Sequence, residues 1–290
     1  MTDAPALRAR SEQLAAPLPA LLARAEHLSA SVVLGDHGRR RAGLGDTFWQ
    51  YRSAIPSDDA RRIDWRRSAR SDTSFVHEKE WQIAQTVGVW VDHSASMRFA
   101  SSRGQPTKAD RAQLLALAAT ILLLRGGERV GCLESATPPR RGNAQATEIA
   151  AQFGVEDPNE FGTPPAASLT RAARVLLVSD FFGDIAATEA AIATAAKNGS
   201  TGVLLQVVDP QEEEFPFAGR TIFESPSNTI RHETRRAAAL RDRYLERLAQ
   251  RRDRLEASAK AAGWTFGIHR TDQSPAAGLM WLYQTIEAAR

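Results

Sequence analysis

Asp92, Ser94 and Ser96 stand on alternate positions directly after an apolar run, Thr86-Val-Gly-Val-Trp-Val91. Three oxygen donors presented together are the kind of shell a hard dication such as Mg2+ takes, usually with one or two carboxylates and retained waters. A second apolar run, Arg174-Val-Leu-Leu-Val-Ser179, ends in Asp180 and continues as Phe-Phe-Gly-Asp184. Asp-x-Ser-x-Ser is also an ordinary way to cap a helix. In that duller reading Asp92 and Ser94 hydrogen-bond one another and no metal binds. The two stretches make a site only if the fold brings their loops together.

Each run has the continuous apolar character of a strand buried in a parallel sheet. In open α/β sheets, ligands sit just beyond the carboxyl ends of such strands. From residue 86 onward, strands and helices alternate. Lys108 to Leu124 reads as an apolar helix ended by Gly126-Gly127, and Arg129 to Glu134 as a short strand. Residues 135–165 are rich in Pro, Gly, Asn and Thr and read as largely irregular, with a short helix near Glu148 to Gln152. Helices follow at Ala166 to Ala172 and at Ile185 to Asn198, then a buried strand at Gly202 to Val208 and a small hairpin before residue 230. Thr234 to Ala262 is a long charged helix with Leu240, Tyr244, Leu248 and Leu255 on one stripe. A strand at Trp264 to His269 and a helix at Ala276 to Ala289 close the chain. The predicted class is α/β: a mostly parallel, Rossmann-like sheet with helices on both faces.

Ahead of this lies a segment of different character. Residues 1–30 carry helical apolar spacing, broken by Pro17 and Pro19. A Gly- and Arg-rich loop runs from Gly35 to Asp46, and Phe48 to Ile55 and Ser74 to Trp81 alternate as strands. Between those strands, Ser57-Asp-Asp-Ala-Arg61-Arg62-Ile-Asp64-Trp65-Arg-Arg-Ser-Ala-Arg70 mixes acids and guanidiniums around one tryptophan. Arg pairs bidentately with carboxylates and stacks on aromatic rings. As chemistry, Arg61, Arg62, Asp64, Trp65 and Arg70 would contact a partner through a phosphate or an acidic peptide. As structure, they form a salt-bridged clasp on the flank of the sheet, and this reading is favoured. The expected organisation is an Arg-rich extension over residues 1–82, a helix plus short strands, packed on a core domain over residues 83–290.

The 290 residues, 43% of them hydrophobic, suffice for a substantial core. No apolar run reaches the length of a membrane span. With no apolar stretch behind a basic start, no secretory signal is read, and the expected location is cytoplasmic. One cysteine, Cys132, rules out an intrachain disulfide and reads as a packed small residue. The net charge of +3 is modest, but arginines cluster at 39–41, 61–62, 66–67 and 251–252. Pairing with nearby acids, or a protein partner, is favoured over nucleic acid, since no zinc-finger cysteines or recognition-motif aromatics accompany them. Nucleotide-cradling and acyl-transfer motifs are absent from the sequence. Ser94 stands where a haloacid-dehalogenase-type phosphatase wants its second carboxylate. His93 reads as a packing or hydrogen-bonding residue, and Trp65, Trp81 and Trp90 as packing residues.

These stretches resemble a known family. The Asp92-x-Ser94-x-Ser96 loop and the later strand ending in Asp180 resemble a von Willebrand factor A domain. The string Asp58-Asp-Ala-Arg61-Arg62-Ile-Asp64-Trp65-Arg-Arg-Ser68-Ala-Arg70, with Arg39 to Asp46 and Tyr51-Arg52 before it, is similar to the signature of the bacterial family catalogued as domain of unknown function fifty-eight. The resemblance spans about residues 35–270. It implies a von Willebrand A-like core carrying a metal-ion-dependent adhesion site, with Mg2+ as the cation. It matches Asp92, Ser94 and Ser96 to that site's first loop and Asp180 to its later aspartate. Thr163, in Phe161-Gly-Thr-Pro164, matches the middle-loop threonine, though Pro164 and Pro165 depart from the usual pattern. It further implies a non-enzymatic adaptor working with a MoxR-type AAA+ ATPase to assemble or activate a client protein. A metal-dependent hydrolase using Asp92 and Asp180, or a nucleic-acid module built on the Arg-rich loops, are the alternatives.

Overall fold

The computed structural model describes residues 18–32, 42–43, 47–55, 58–59, 61, 63–70, 73–80, 85–155, 157–169, 174–225, 227 and 231–288. In chain order, α1 (Leu18–Ser31) precedes β1 (Ala42–Gly43), β2 (Thr47–Ser53), the single turn α2 (Trp65–Ser68) and β3 (Phe75–Glu80). Then come β4 (Thr86–Val91), a 3-10 turn at Ala95–Arg98, α3 (Lys108–Arg125), β5 (Arg129–Cys132), α4 (Asn143–Phe153) and α5 (Ala166–Leu169). β6 (Arg174–Ser179), α6 (Ile185–Lys197), β7 (Thr201–Val208), α7 (Pro210–Glu214) and the hairpin β8 (Thr221–Glu224) and β9 (Arg231–Thr234) follow. The chain ends with α8 (Ala238–Ala261), β10 (Thr265–Arg270) and α9 (Pro275–Ala288). Residues expected as helix before Leu18, and most of the loop expected from Gly35 to Asp46, lie outside the described residues.

The described chain falls into two compact units. The smaller lies within residues 33–84 and holds the antiparallel sheet β1-β3-β2. The larger contains α1 and everything from Gln85 onward. Helix α1, expected with the N-terminal extension, is thus a member of the larger unit, where it packs on α3, α4 and α9.

The larger unit is built on a five-stranded parallel sheet in the order β10-β7-β6-β4-β5. This is the α/β class expected from the sequence. Side chains alternate between faces with the period of two that a strand imposes. Val87, Val89, Val91, Leu176, Val178, Val203, Leu205 and Val207 point into one apolar layer, with residues of α1, α3, α4 and α9. Trp90, Val175, Leu177 and Leu204 point into the other, with residues of α5, α6 and α8. Helix α3 opens with a capping box between Thr107 and Asp110. It is buried nearly all round because α1 covers the side turned away from the sheet.

The stretch expected to be largely irregular, with a short helix near Glu148 to Gln152, contains the longer, eleven-residue helix α4. Gly142, at φ +93°, supplies the backbone turn into it, and Ala146, Ile149, Ala150 and Phe153 form a buried stripe at helical spacing. Among the described residues, no helix is long and apolar enough to cross a membrane.

Counted along the chain, the five strands run 2-1-3-4-5 across the sheet, so the order reverses between β4 and β6. A crevice forms outside the carboxyl ends of strands at such a reversal. Asp92 leaves β4 there and Asp180 leaves β6.

Candidate functional site

Strand pairing carries both aspartates to the same edge. Val91 lies opposite Val178, and the Asp92 amide still donates to the Val178 carbonyl at 2.9 Å. Asp92 is buried, and two neighbours hold its carboxylate. Oδ1 accepts from the Ser94 amide at 2.8 Å, and Oδ2 accepts from Ser179 Oγ at 2.6 Å. Burial, followed by the negative charge of Asp180, raises the Asp92 pKa above its ordinary value, against the lowering pull of those hydrogen bonds. Ser94 Oγ and Ser96 Oγ lie 3.2 Å apart, both buried. His93 sits on the other side of the loop against Phe153, with ring centroids 5.7 Å apart, and burial pulls it down to about 4. It packs, as expected from its position between the donors.

Asp180 is also fully buried, and its partner is one the sequence reading did not single out. Lys108, the first residue of α3, places its ammonium 2.9 Å from Asp180 Oδ2 and 2.5 Å from Glu212 Oε1. Burial works against the charged amine, but Asp180 and Glu212 outweigh it and raise the Lys108 pKa. The faces of Phe182 and Phe99 lie 4.9 and 5.8 Å from the nitrogen, close enough for cation–π attraction. Asp180 Oδ1 accepts from the Phe182 amide at 2.9 Å. Phe181 takes a left-handed backbone, φ +52°, a conformation that a bulky residue keeps only where its surroundings hold it. Arg251 of α8 does so by donating to the Phe181 and Gly183 carbonyls.

The middle loop closes over the first. The amides of Ala95 and Ser96 donate to the carbonyls of Asn159 and Glu160, both at 2.9 Å. Gly162 lies so close to Asp92 that a Cβ placed on it would fall 2.3 Å from Oδ1. Thr163, the next residue, is exposed at this rim. The structure thus brings Asp92, Ser94, Ser96 and Asp180 to one edge of one unit, with Thr163 beside them. It adds Ser179, Lys108, Glu212, Gly162 and Arg251.

The residues singled out in the smaller unit have their own arrangement. Asp64 caps α2 through the Arg67 amide at 3.0 Å and accepts from the Tyr51 hydroxyl at 3.1 Å. The Arg67 guanidinium lies 4.2 Å over the Tyr51 ring, and Arg52 grips Asp58 through two contacts of 2.6 and 2.5 Å. A hollow of about 550 Å3 is lined by Tyr51, Asp64, Arg66, Arg67, Arg70 and Phe75. Arg61 is exposed, and Arg62 lies outside the described residues. Trp65 corrects the expectation of a packing residue: it is 63% exposed, because the single-turn α2 buries none of its own residues. Trp90 is buried as expected, and Trp81 lies outside the described residues. Arg252 pairs with Glu213 at 2.7 Å rather than with the acids near it in sequence.

Whether a dication fits can be tested on the donors. Adjacent corners of an Mg2+ octahedron lie about 3.0 Å apart when Mg–O is about 2.1 Å. The 3.2 Å between the two serine hydroxyls matches that spacing. Two coupled buried carboxylates and two hydroxyls are hard oxygen chemistry. Among the described residues, no group of three or more His, Cys, Asp or Glu side chains gathers as a metal site. A cation here would therefore rest on Asp92 and the hydroxyls, with Asp180 already drawn toward Lys108.

A family profile described as "Protein of unknown function DUF58" matches residues 50–254. Relatives include the uncharacterized protein Rv1480 of Mycobacterium tuberculosis (strain H37Rv) and the uncharacterized protein Mb1516 of Mycobacterium bovis. Each is 27% identical over 284 residues, covering 90% of this chain and 86% of the relative. Among solved structures, an aerotolerance-related membrane protein from Bacteroides fragilis aligns with a TM-score of 0.44 at 16% identity, over 71% of this chain and 100% of that one. The conserved hypothetical protein BatB from Bacteroides thetaiotaomicron aligns with a TM-score of 0.40 at 14% identity, over 71% of this chain and 98% of the other.

Proposed function

The chain belongs to the DUF58 family, and we propose that it works there as a non-enzymatic adaptor that holds a partner protein through a divalent cation at the Asp92 rim. The observation that carries this reading is the convergence of Asp92, Ser94 and Ser96 with Asp180 at the sheet's order reversal. Asp92, Ser94 and Ser96 would hold the cation, Thr163 stands at its rim, and Asp180 sets the charge behind it. Bound there, Mg2+ supplies a seat for a carboxylate from the partner. Adhesion is favoured over hydrolysis because the acids are already committed: Asp92 to Ser94 and Ser179, Asp180 to Lys108 and Phe182, Glu212 to Lys108 and the Asp209 amide. A carboxylate held this way orients and neutralises; it is not poised to move a proton.

The family resemblance makes a MoxR-type AAA+ ATPase the partner to test first, with a client protein as the second. On the smaller unit, exposed Trp65 and the hollow bearing Arg66, Arg67 and Arg70 would receive an acidic surface of either one. Asp64 orients that hollow through Tyr51 and Arg67.

Mn2+ titration followed by electron paramagnetic resonance tests the cation directly. One Mn2+ should bind per chain, and Asp92→Ala should abolish binding with the circular dichroism unchanged. A proton competes with the cation for Asp92, whose pKa is raised, so affinity should begin to fall above the usual carboxylate range as pH is lowered. Calorimetry with the purified ATPase in magnesium and in chelator tests the adhesion step. Equal affinity in the two removes the cation from the reading, and absence of binding removes the ATPase.

A further inference from the structure

Beside the rim lies a groove of about 430 Å3 whose walls are mostly apolar and carry seven aromatic rings. Phe99, Phe161, Phe182, Phe217, Phe223 and Tyr244 line it, with Ile222 at its mouth and Ser96 at the end nearest Asp92. Phe99, Phe161 and Ile222 are 37%, 38% and 42% exposed, so three of the chain's exposed large apolar side chains converge on one hollow. Single exposed apolar residues are ordinary, whereas a contiguous patch with a concave shape marks a binding surface.

The walls are fixed. Phe215, buried and itself part of the lining, stacks on Phe223 at 5.6 Å, packs at a tilt on Tyr244 at 4.8 Å and meets Phe217 edge-on at 5.2 Å. The Tyr244 hydroxyl is tied to the Glu212 carbonyl at 2.7 Å, and burial raises its pKa to about 12, so it stays neutral. The groove's charged side chains are paired among themselves, with two carboxylates, Asp180 and Glu212, on the one Lys108 ammonium and Glu224 facing Arg231 at 3.4 Å. The lining therefore offers no unmatched cation to an anion, and its aromatic walls suit an apolar side chain. A negative charge on the same occupant has its place one residue away, at the Ser94 and Ser96 hydroxyls.

We propose that this groove takes an aromatic or large aliphatic side chain from the same partner segment whose carboxylate sits at the Asp92 rim, so that the protein reads a short acidic–apolar motif. This rests on the cation-mediated adaptor reading given above. Ser96 belongs to both subsites, so the two recognised side chains lie within a few residues of one another in an extended segment. The aromatic groove supplies specificity and the rim supplies the charge contact.

The probes are fluorescein-labelled Gly/Ser peptides, capped at both ends, with one Glu and one Phe at most four positions apart in either order. Polarisation is read in magnesium and in EDTA. The best peptide should lose at least about tenfold in affinity when its Phe becomes Ala, the factor expected for one buried aromatic side chain. Ile222→Ser and Phe161→Ser, both at exposed positions, should cause a similar loss, leave Mn2+ binding intact and have no further effect on the Ala peptide. Magnesium-dependent binding indifferent to the Phe and to both variants overturns the groove and leaves the cation reading standing. So does a flat response across the set while Mn2+ binds. Binding that needs the Phe and Ile222 but is equal in magnesium and EDTA supports the groove and overturns the cation reading.

Discussion

Gly162 is where the middle loop controls the first. Its Cβ would lie 2.3 Å from Asp92 Oδ1 and 2.7 Å from Oδ2, well inside contact distance. The carboxylate cannot swing aside cheaply, because the Ser94 amide and Ser179 hydroxyl fix it. Nor is this a position where glycine is needed for a left-handed backbone; the demand is for space. Gly162→Ala should therefore push Asp92 out of line and lower Mn2+ affinity at least about tenfold, roughly 1.4 kcal/mol. Overpacking of this kind costs about 1–3 kcal/mol in stability, which a thermal melt would register. Gly104→Ala, which meets nothing within 4 Å, is the control. Equal Mn2+ affinity in the two variants would show that the loop does not set the carboxylate's position.

At the scale of elements, Lys108 ties three of them together. It starts α3, reaches the loop after β6 through Asp180, and meets α7 through Glu212. Glu212 in turn closes the capping box of α7, accepting from the Asp209 amide at 3.0 Å. Lys108→Met would leave the buried Asp180 and the half-buried Glu212 without their cation, a change that costs about 3–5 kcal/mol. Urea unfolding at neutral pH should show a loss of that order. The gap should narrow as pH falls, because the orphaned acids then bind protons in the folded variant. A loss below about 1 kcal/mol would mean that the pair stabilises little. This tie was not legible in the sequence, for a physical reason: Lys108 is 72 residues from Asp180 and 104 from Glu212. Strands, the end of α3 and the two strand-terminal aspartates are written locally, in apolar runs and the glycines at 126 and 127, and these could be read. One faint signal was present. Only four of the 37 basic residues are lysines, and a compact ammonium suits a narrow pocket between carboxylates better than a guanidinium fork. Of helix α4, only the part near Glu148 to Gln152 was legible, because polar Asn, Gln and Glu residues mask the rest of its buried stripe.

For the whole molecule, what matters is which segments form one core. The sequence placed α1 with the Arg-rich extension, yet Ala25, Leu28 and Val32 are buried in the same layer as α3 and the parallel sheet. The smaller unit within residues 33–84 is thus inserted between the first helix of the larger unit and its first strand. Removing residues 1–84 would strip α1 from α3 as well as delete that unit. Each large apolar side chain so exposed costs about 1.5–3 kcal/mol, and α3 loses its cover too. The sum approaches the 5–15 kcal/mol that holds a typical domain folded. Residues 85–290 alone should accordingly melt without cooperativity or aggregate. Joining residue 32 to residue 85 through a flexible Gly/Ser linker, about 40 Å in reach if a dozen residues long, should restore a cooperative melt. Because Asp92, Ser94, Ser96 and Asp180 all lie in the larger unit, the linked protein should also bind Mn2+ as the intact chain does. Equal melting temperatures with and without α1 would show that the helix covers the core without supporting it, and the boundary near residue 82 would then stand as a true domain edge.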